Sequence, residues 1–325
     1  MQAMITISIG CFIFVLCSSL LVQVNSKTTR PDDGICARAK WAQNATTVAG
    51  GHGQGSELNQ LNFPYGFFID DNQTVYVADS ANHRVIKWER GVSKGQVIAG
   101  GKEAGDREDQ LSNPSDVVVD KDGTIYISDY KNQRVQRWFR EALSGQTLID
   151  DISAFGITQD DQGSLYVSDF RKGEVRKWRM GEAVEQGIIS ELSQPSFLFV
   201  DRNRSVFVTE TGSSIVTKVD DRSTRMEIAA GALYGDGDDE LASPMGVVVD
   251  QLGTVYVADS ENNRIMRWPR GSKSGSLIAG GHEPGSQSDQ LNYPTGLLFD
   301  FDGNLYVVDS RNHRVQKFAI DKSLC

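Results

Sequence analysis

The chain holds four histidines, His52, His83, His282 and His313, and neutral imidazoles carried on neighbouring loops can ligate zinc. No close ligand spacing surrounds them, and His83 and His313 occupy the same Asn-His-Arg turn, so ordinary loop histidines are the competing reading. The run Gly235-Asp236-Gly237-Asp238-Asp239-Glu240 offers oxygens of the kind calcium takes, without the full spacing of a calcium loop; a solvated acidic loop is its alternative. Asp120-Lys121-Asp122-Gly123 and Asp300-Phe301-Asp302-Gly303 are similar but stand where a hairpin must turn, and turn chemistry accounts for them. A triad of Asp79, Asn82 and Arg84 recurs as Asp129, Asn132 and Arg134, as Asp259, Asn262 and Arg264, and as Asp309, Asn312 and Arg314. A carboxylate can accept hydrogen bonds from both a turn backbone and a guanidinium, so a structural duty in each repeat is expected.

Those residues need elements to position them, and self-comparison supplies the elements. Pro64-Tyr65-Gly66-Phe67-Phe68-Ile69-Asp70, then Val75-Tyr76-Val77-Ala78-Asp79, then Asn82-His83-Arg84-Val85-Ile86-Lys87-Trp88 is one of six copies of a pattern. The acidic residues closing the second segment, Asp79, Asp129, Asp169, Glu210, Asp259 and Asp309, are 50, 40, 41, 49 and 50 residues apart. Each unit has four short β-branched or aromatic runs between Gly, Asn and Asp turns, which is the composition of a propeller blade. Blades three and four depart from the triad, with Gly173-Glu174 and Glu210-Thr211-Gly212 in its place, and are candidates for a less rigid sector. The last repeat lacks a fourth strand, while Thr46-Thr47-Val48-Ala49-Gly50-Gly51 matches Leu277-Ile278-Ala279-Gly280-Gly281 and has no first three strands of its own. The expected fold is therefore all-β: a six-bladed β-propeller of four-stranded antiparallel blades, its ring closed by the N-terminal strand joining the C-terminal blade.

Residues 1–26 contain no charged side chain and Ile5 to Val22 are mostly apolar, which reads as a signal peptide cut before Lys27; an uncleaved membrane anchor is the alternative. Residues 27–40 then form a segment carrying Cys36, and 41–325 the propeller. Cys11 and Cys17 leave with the leader, so Cys36 and Cys325 remain as a disulfide, which replaces the turn missing between the third and fourth strands of the last blade. Closing so long a loop is worth about 4 to 5 kcal/mol by chain entropy. Sequons at Asn44, Asn72 and Asn203 agree with secretion. All three map to one face, where the first and second strands are joined; the opposite, top face is then free for binding, although exposed turns would collect sugars in any case. A net charge of -10 argues against nucleic acid.

At the top of the channel, the residue after the Pro-like position is Tyr65, Ser115, Phe155, Ser196, Met245 or Thr295, followed by Gly except at Asp116 and Phe197. Tyr65, Asp116, Phe155, Phe197 and Met245 are the candidate ligand contacts at this mouth, with core packing as the other reading. No histidine or cysteine belongs to the ring, which suits an interaction surface better than a hydrolytic centre.

The segments Pro-x-Gly, Tyr-Val-x-Asp and Asn-x-Arg-Val-x-Lys-Trp together resemble the NHL repeat from about Trp41 to Phe318, with Asn82-His83-Arg84 and Asn312-His313-Arg314 close to its name-giving turn. The resemblance implies a six-bladed propeller and leaves activity open, because NHL propellers serve ligases, RNA-binding regulators, receptor ectodomains and the peptidylglycine amidating lyase. A secreted, monomeric, non-enzymatic module is expected, binding an extracellular protein or glycan with its top face, without nucleic acid or a membrane span once the leader is cut, and requiring no cofactor. The alternative is a metal-dependent lyase or hydrolase resembling the amidating lyase, which uses zinc-binding histidines from separate blades.

Overall fold

The computed structural model describes residues 35–179, 186–221, 223 and 225–323. The leader, its cleavage point and Cys325 lie outside the described residues. Within them the short alternating runs form six four-stranded antiparallel sheets and one two-stranded pair. Blade one comprises Pro64–Ile69, Val75–Asp79, Arg84–Trp88 and Gln96–Gly100. Blades two to five follow in order, with innermost strands Asp116–Val119, Ala154–Gln159, Pro195–Val200 and Pro244–Val249. Blade six takes three strands from Pro294–Phe299, Leu305–Asp309 and Arg314–Phe318, and its fourth is Thr46–Gly50. Thr46 stands opposite Lys317 and Gly50 opposite Arg314, so main-chain hydrogen bonds close the ring in the expected way.

A second clasp lies outside the first, where Lys40–Trp41 pairs with Ile320–Asp321. Trp41 stacks on Phe299 at 5.7 Å, meets Tyr256 edge-on at 5.6 Å and donates its indole N–H to the Gly303 carbonyl at 3.0 Å. Ile35 and Ala39 are buried in the same apolar cluster, so the N-terminal segment belongs to the packed body from Ile35 onward. Cys36, one residue further, is disulfide-bonded.

The innermost strand of each blade has a free edge toward the channel, and its carbonyls need donors. The next or previous blade supplies them at every seam. Gly66 N–H donates to the Ser115 carbonyl at 2.8 Å, the Ser115 hydroxyl to that of Phe155 at 2.6 Å, and the Ser168 hydroxyl to that of Ser196 at 2.5 Å. The Thr209 hydroxyl donates to the Met245 carbonyl, Ser260 to Pro294 at 2.6 Å, and Thr295 to Tyr65 at 2.6 Å, which completes the circle.

The repeated triad holds the long connections between blades. Asp79 accepts Arg84 Nε–H at 2.7 Å, Asn82 Nδ2–H at 2.8 Å and the Asn62 N–H at 2.7 Å. Arg84 then uses its terminal nitrogens on the carbonyls of Ser56, Glu57 and Gln60. The same pattern binds Arg134 to Asp106, Arg107 and Gln110, Arg264 to Asp236, Gly237 and Glu240, and Arg314 to Ser286, Gln287 and Gln290. Pulled inward by these guanidinium groups, the connections leave the top face and run down the blade flank, where the Leu58 carbonyl meets Gly95 N–H at 2.7 Å. Burial raises the carboxyl pKa of Asp79, Asp129, Asp259 and Asp309 against the pull of their Asn and Arg partners.

Blades three and four differ because their connections are about ten residues shorter, as the spacings of 40 and 41 show. There is no long loop to hold, and the residue equivalent to the clamping arginine is Glu174 or Ile215. Arg176 lies 3.9 Å from Asp169 and donates Nε–H to Glu174 at 2.8 Å. Arg134→Ala should therefore cost about 3–5 kcal/mol, because it strands a buried carboxylate. Arg140→Ala should cost about 1 kcal/mol or less, as expected for an exposed arginine whose ion-pair partner, Glu141, is equally exposed. Urea unfolding of both variants checks this, and equal losses would show that the clamp carries no special weight.

Candidate functional site

The top of the channel is an aromatic cluster. Phe155, Phe197 and Met245 are buried together, with Tyr65, Tyr130 and Phe170 packed against them and partly open. Phe155 is the hub: its ring centroid lies 6.0 Å from Tyr65, 5.5 Å from Tyr130, 5.5 Å from Phe170 and 5.5 Å from Phe197. Most of these contacts are edge-to-face, the arrangement ring quadrupoles favour, and Phe155 with Phe170 is stacked. The structure thus gathers four of the five predicted mouth residues and adds two that sequence reasoning passed over. Tyr130 and Phe170 follow the repeated acidic residue at a position that is Ser80, Thr211, Ser260 or Ser310 in the other blades. Two aromatics at a position otherwise hydroxylated were the available signal.

Asp116, the fifth predicted residue, is buried rather than displayed. Its two oxygens accept the N–H groups of Val117 at 2.9 Å and Ile157 at 3.0 Å, and no cation pairs with it among the described residues. Burial pushes its carboxyl up to about 8 against those two hydrogen bonds. Gly66 is required beside it, because a Cβ there would lie within 2.7 Å of the Ser115 carbonyl. Asp116 is therefore a seam residue between blades and an unlit part of the mouth's wall, and Phe197, at the equivalent place in blade four, is the one that joins the cluster.

The four histidines do not converge, and among the described residues no three His, Cys, Asp or Glu side chains are grouped to hold a metal ion. His83 and His313 have another task. Each sits with left-handed backbone after a short 3-10 turn, and each Nδ1 accepts a backbone N–H from the next blade, Asn113 at 3.2 Å and Phe63 at 3.1 Å. Asn263 makes the equivalent bond to Tyr293 at 2.9 Å. Burial lowers the His313 pKa, which suits a neutral acceptor. His52 and His282 are exposed at the start of long connections. The acidic run is the blade-five copy of the clamped connection: the carbonyls of Asp236, Gly237 and Glu240 face Arg264, and the Glu240 carboxylate accepts the Gly237 N–H at 3.0 Å.

Asn44, Asn72 and Asn203 are exposed. Asn72 and Asn203 occupy turns organised by Asp70 and Asp201, whose carboxylates accept the N–H of each asparagine at 2.9 and 2.8 Å. Asp120 and Asp300 organise the two short acidic turns in the same manner. No helix among the described residues is long and apolar enough to cross a membrane.

The raised Asp116 carboxyl gives a pH dependence of known sign. Its folded value lies above that of the unfolded chain, so its contribution to stability is complete below about pH 4 and is lost as pH rises through about 8. Asp116→Asn cannot ionise. The melting temperature of the natural protein minus that of the variant should fall steadily between about pH 5 and pH 8 and then level off. A difference that does not change with pH would rule out titration of this side chain.

Comparison with known proteins follows the architecture. Residues 155–324 match the SMP-30/Gluconolactonase/LRE-like region, and residues 111–138 match the NHL repeat. No curated protein matches the chain. An auxiliary nutrient binding protein from Bacteroides thetaiotaomicron superposes with a TM-score of 0.69 at 14% identity, covering 88% of this chain and 78% of that one. Catalytically inactive virginiamycin B lyase from Staphylococcus aureus, solved with quinupristin, gives 0.59 at 12% identity over 86% of this chain and 99% of that one. A chain of the nidogen/laminin complex gives 0.56 at 17% identity over 66% of this chain and 79% of that one. At such identities these structures share the fold alone. With just over half its length matched by one family and its blades built on the repeat of another, the chain belongs to the SMP-30/gluconolactonase/LRE-like family as a β-propeller of NHL type.

Proposed function

We propose that the chain is a secreted, non-enzymatic binding propeller that presents its channel mouth to an extracellular protein or glycan. The observation that carries this reading is the half-open aromatic cluster around Phe155, drawn from blades one to five at the one place where the six blades converge. Rigid aromatic side chains supply contact area at low entropic cost, and their backbones are fixed by the seam hydrogen bonds. The nutrient-binding neighbours are consistent with a propeller used for binding. Secretion is supported by the uncharged apolar leader, the three exposed sequons and the disulfide at Cys36. Cys325 is the partner we assign to Cys36.

A metal-dependent lyase or hydrolase is the second reading, favoured by the family match over residues 155–324 and by the lyase fold of one neighbour. The histidine geometry speaks for the first reading, since His83 and His313 each commit Nδ1 to a neighbouring blade. Calcium or zinc has no part in the binding reading.

Tyr130→Ala and Phe170→Ala together should weaken binding to extracellular protein and glycan arrays by tenfold or more without lowering the melting temperature substantially, because both side chains are partly exposed. Binding that survives both changes would place the site elsewhere. Protein purified from a secretory host without chelators should carry no stoichiometric zinc, and one zinc per chain would overturn the reading in favour of the enzyme. The same material should begin at Lys27, carry sugar at Asn44, Asn72 and Asn203, and yield a Cys36 to Cys325 peptide on non-reducing digestion; an intact leader would replace secretion with anchoring.

A further inference from the structure

The mouth has a charge pattern that narrows the ligand, an inference that rests on the binding reading above. The second residue after the repeated acidic position is Ala81, Lys131, Arg171, Gly212, Glu261 or Arg311. The inner rim of the top face therefore bears three cations and one carboxylate at this position, although the whole chain has a net charge of -10. Two of the cations frame the aromatic cluster. Arg311 lies 4.4 Å over the Tyr293 ring, and its charge opposes the upward push of burial on the neighbouring Tyr65 phenol. Lys131 Nζ lies 5.8 Å over the Tyr130 ring. Between them runs a row of rings, Tyr65 to Phe155 at 6.0 Å and Phe155 to Tyr130 at 5.5 Å. Arg171 donates to the Gln133 side chain at 3.4 Å, and Arg311 and Lys131 lie over rings.

Away from this rim the chain is acidic. Its net charge of -10 would repel a polyanion, while a single negative group at the centre meets Arg311 and Lys131. The aromatic row selects the rest of the ligand. The faces of Tyr and Phe rings are electronegative, and the C–H face of a pyranose ring packs against them, as a flexible acidic peptide does less well.

We propose that the channel mouth binds the acidic end of a glycan, one pyranose ring packing against the partly open Tyr65, Tyr130 and Phe170 rings with its carboxylate held by Arg311 or Lys131. The class is a terminal carboxylated sugar, not a heavily charged polymer.

The test is calorimetric titration of the intact glycoprotein with a uronic-acid-terminated oligosaccharide, its carboxyl-reduced neutral counterpart and an acidic peptide of equal charge. The acidic sugar should bind at least tenfold more tightly than the neutral one, and that preference should shrink as salt rises. Arg311→Gln should lower affinity for the acidic sugar about tenfold and leave the neutral sugar unchanged, with an unaltered melting temperature showing that the exposed arginine was not needed for folding; Lys131→Gln is the companion variant. Equal affinity for the two sugars overturns the charge assignment while leaving the mouth a binding site. Tighter binding of the peptide overturns the sugar class. Failure of both sugars overturns the inference, and the Tyr130→Ala, Phe170→Ala comparison on arrays separately decides whether the binding reading falls with it.

Discussion

An innermost propeller strand has hydrogen-bonded strand partners on one side only, and its other edge faces the channel. The structure depends on how that edge is satisfied. Six donors, one per seam, answer the carbonyls of Ser115, Phe155, Ser196, Met245, Pro294 and Tyr65, and all but the Gly66 N–H are hydroxyls. Because each donor belongs to an adjoining blade, satisfying the edge also fixes the rotation of one blade against the next. Thr295 to Tyr65 completes the inner circle, and the pairing of Thr46–Gly50 with Arg314–Phe318 ties the two ends of the ring together further out.

The outer part of each seam is held differently. Where a long connection crosses between blades, a buried Asp and Arg pair gathers its carbonyls, and His83, Asn263 and His313 reach from one blade to a backbone N–H of the next. Where the connection is short, Arg and loop are missing together. The irregular spacing of blades three and four is thus one structural change and not two.

The mouth follows from the seams. In blades two and three the seam donor is Ser115 or Ser168, so the position after the acidic residue is not needed for a hydroxyl and holds Tyr130 or Phe170. In blade five Ser260 occupies that position and does make the seam bond. An aromatic platform and a closed ring are compatible because the hydroxyls have moved to an adjacent position. The charged rim sits on the same short turns, close enough to the rings for cation–π contact at Arg311 and Lys131.

The sequence by itself determined the blade, the number of blades and the manner of closure, because these are set by local alternation, turn residues and a repeat that recurs in register; Val75–Asp79 or Arg84–Trp88 can be read with no knowledge of neighbours. It also marked the Asp, Asn and Arg triad as structural, and named Tyr65, Phe155, Phe197 and Met245 as mouth candidates, since they stand one or two places after the Pro-like position of the repeat. Tertiary structure alone decided that Asp116 is walled in between blades, that His83 and His313 are acceptors across a seam, and that Tyr130 and Phe170 complete the platform. Those outcomes depend on the gap between residues 25 or more positions apart, brought together across the seams, and local sequence carries no information on distances across a seam.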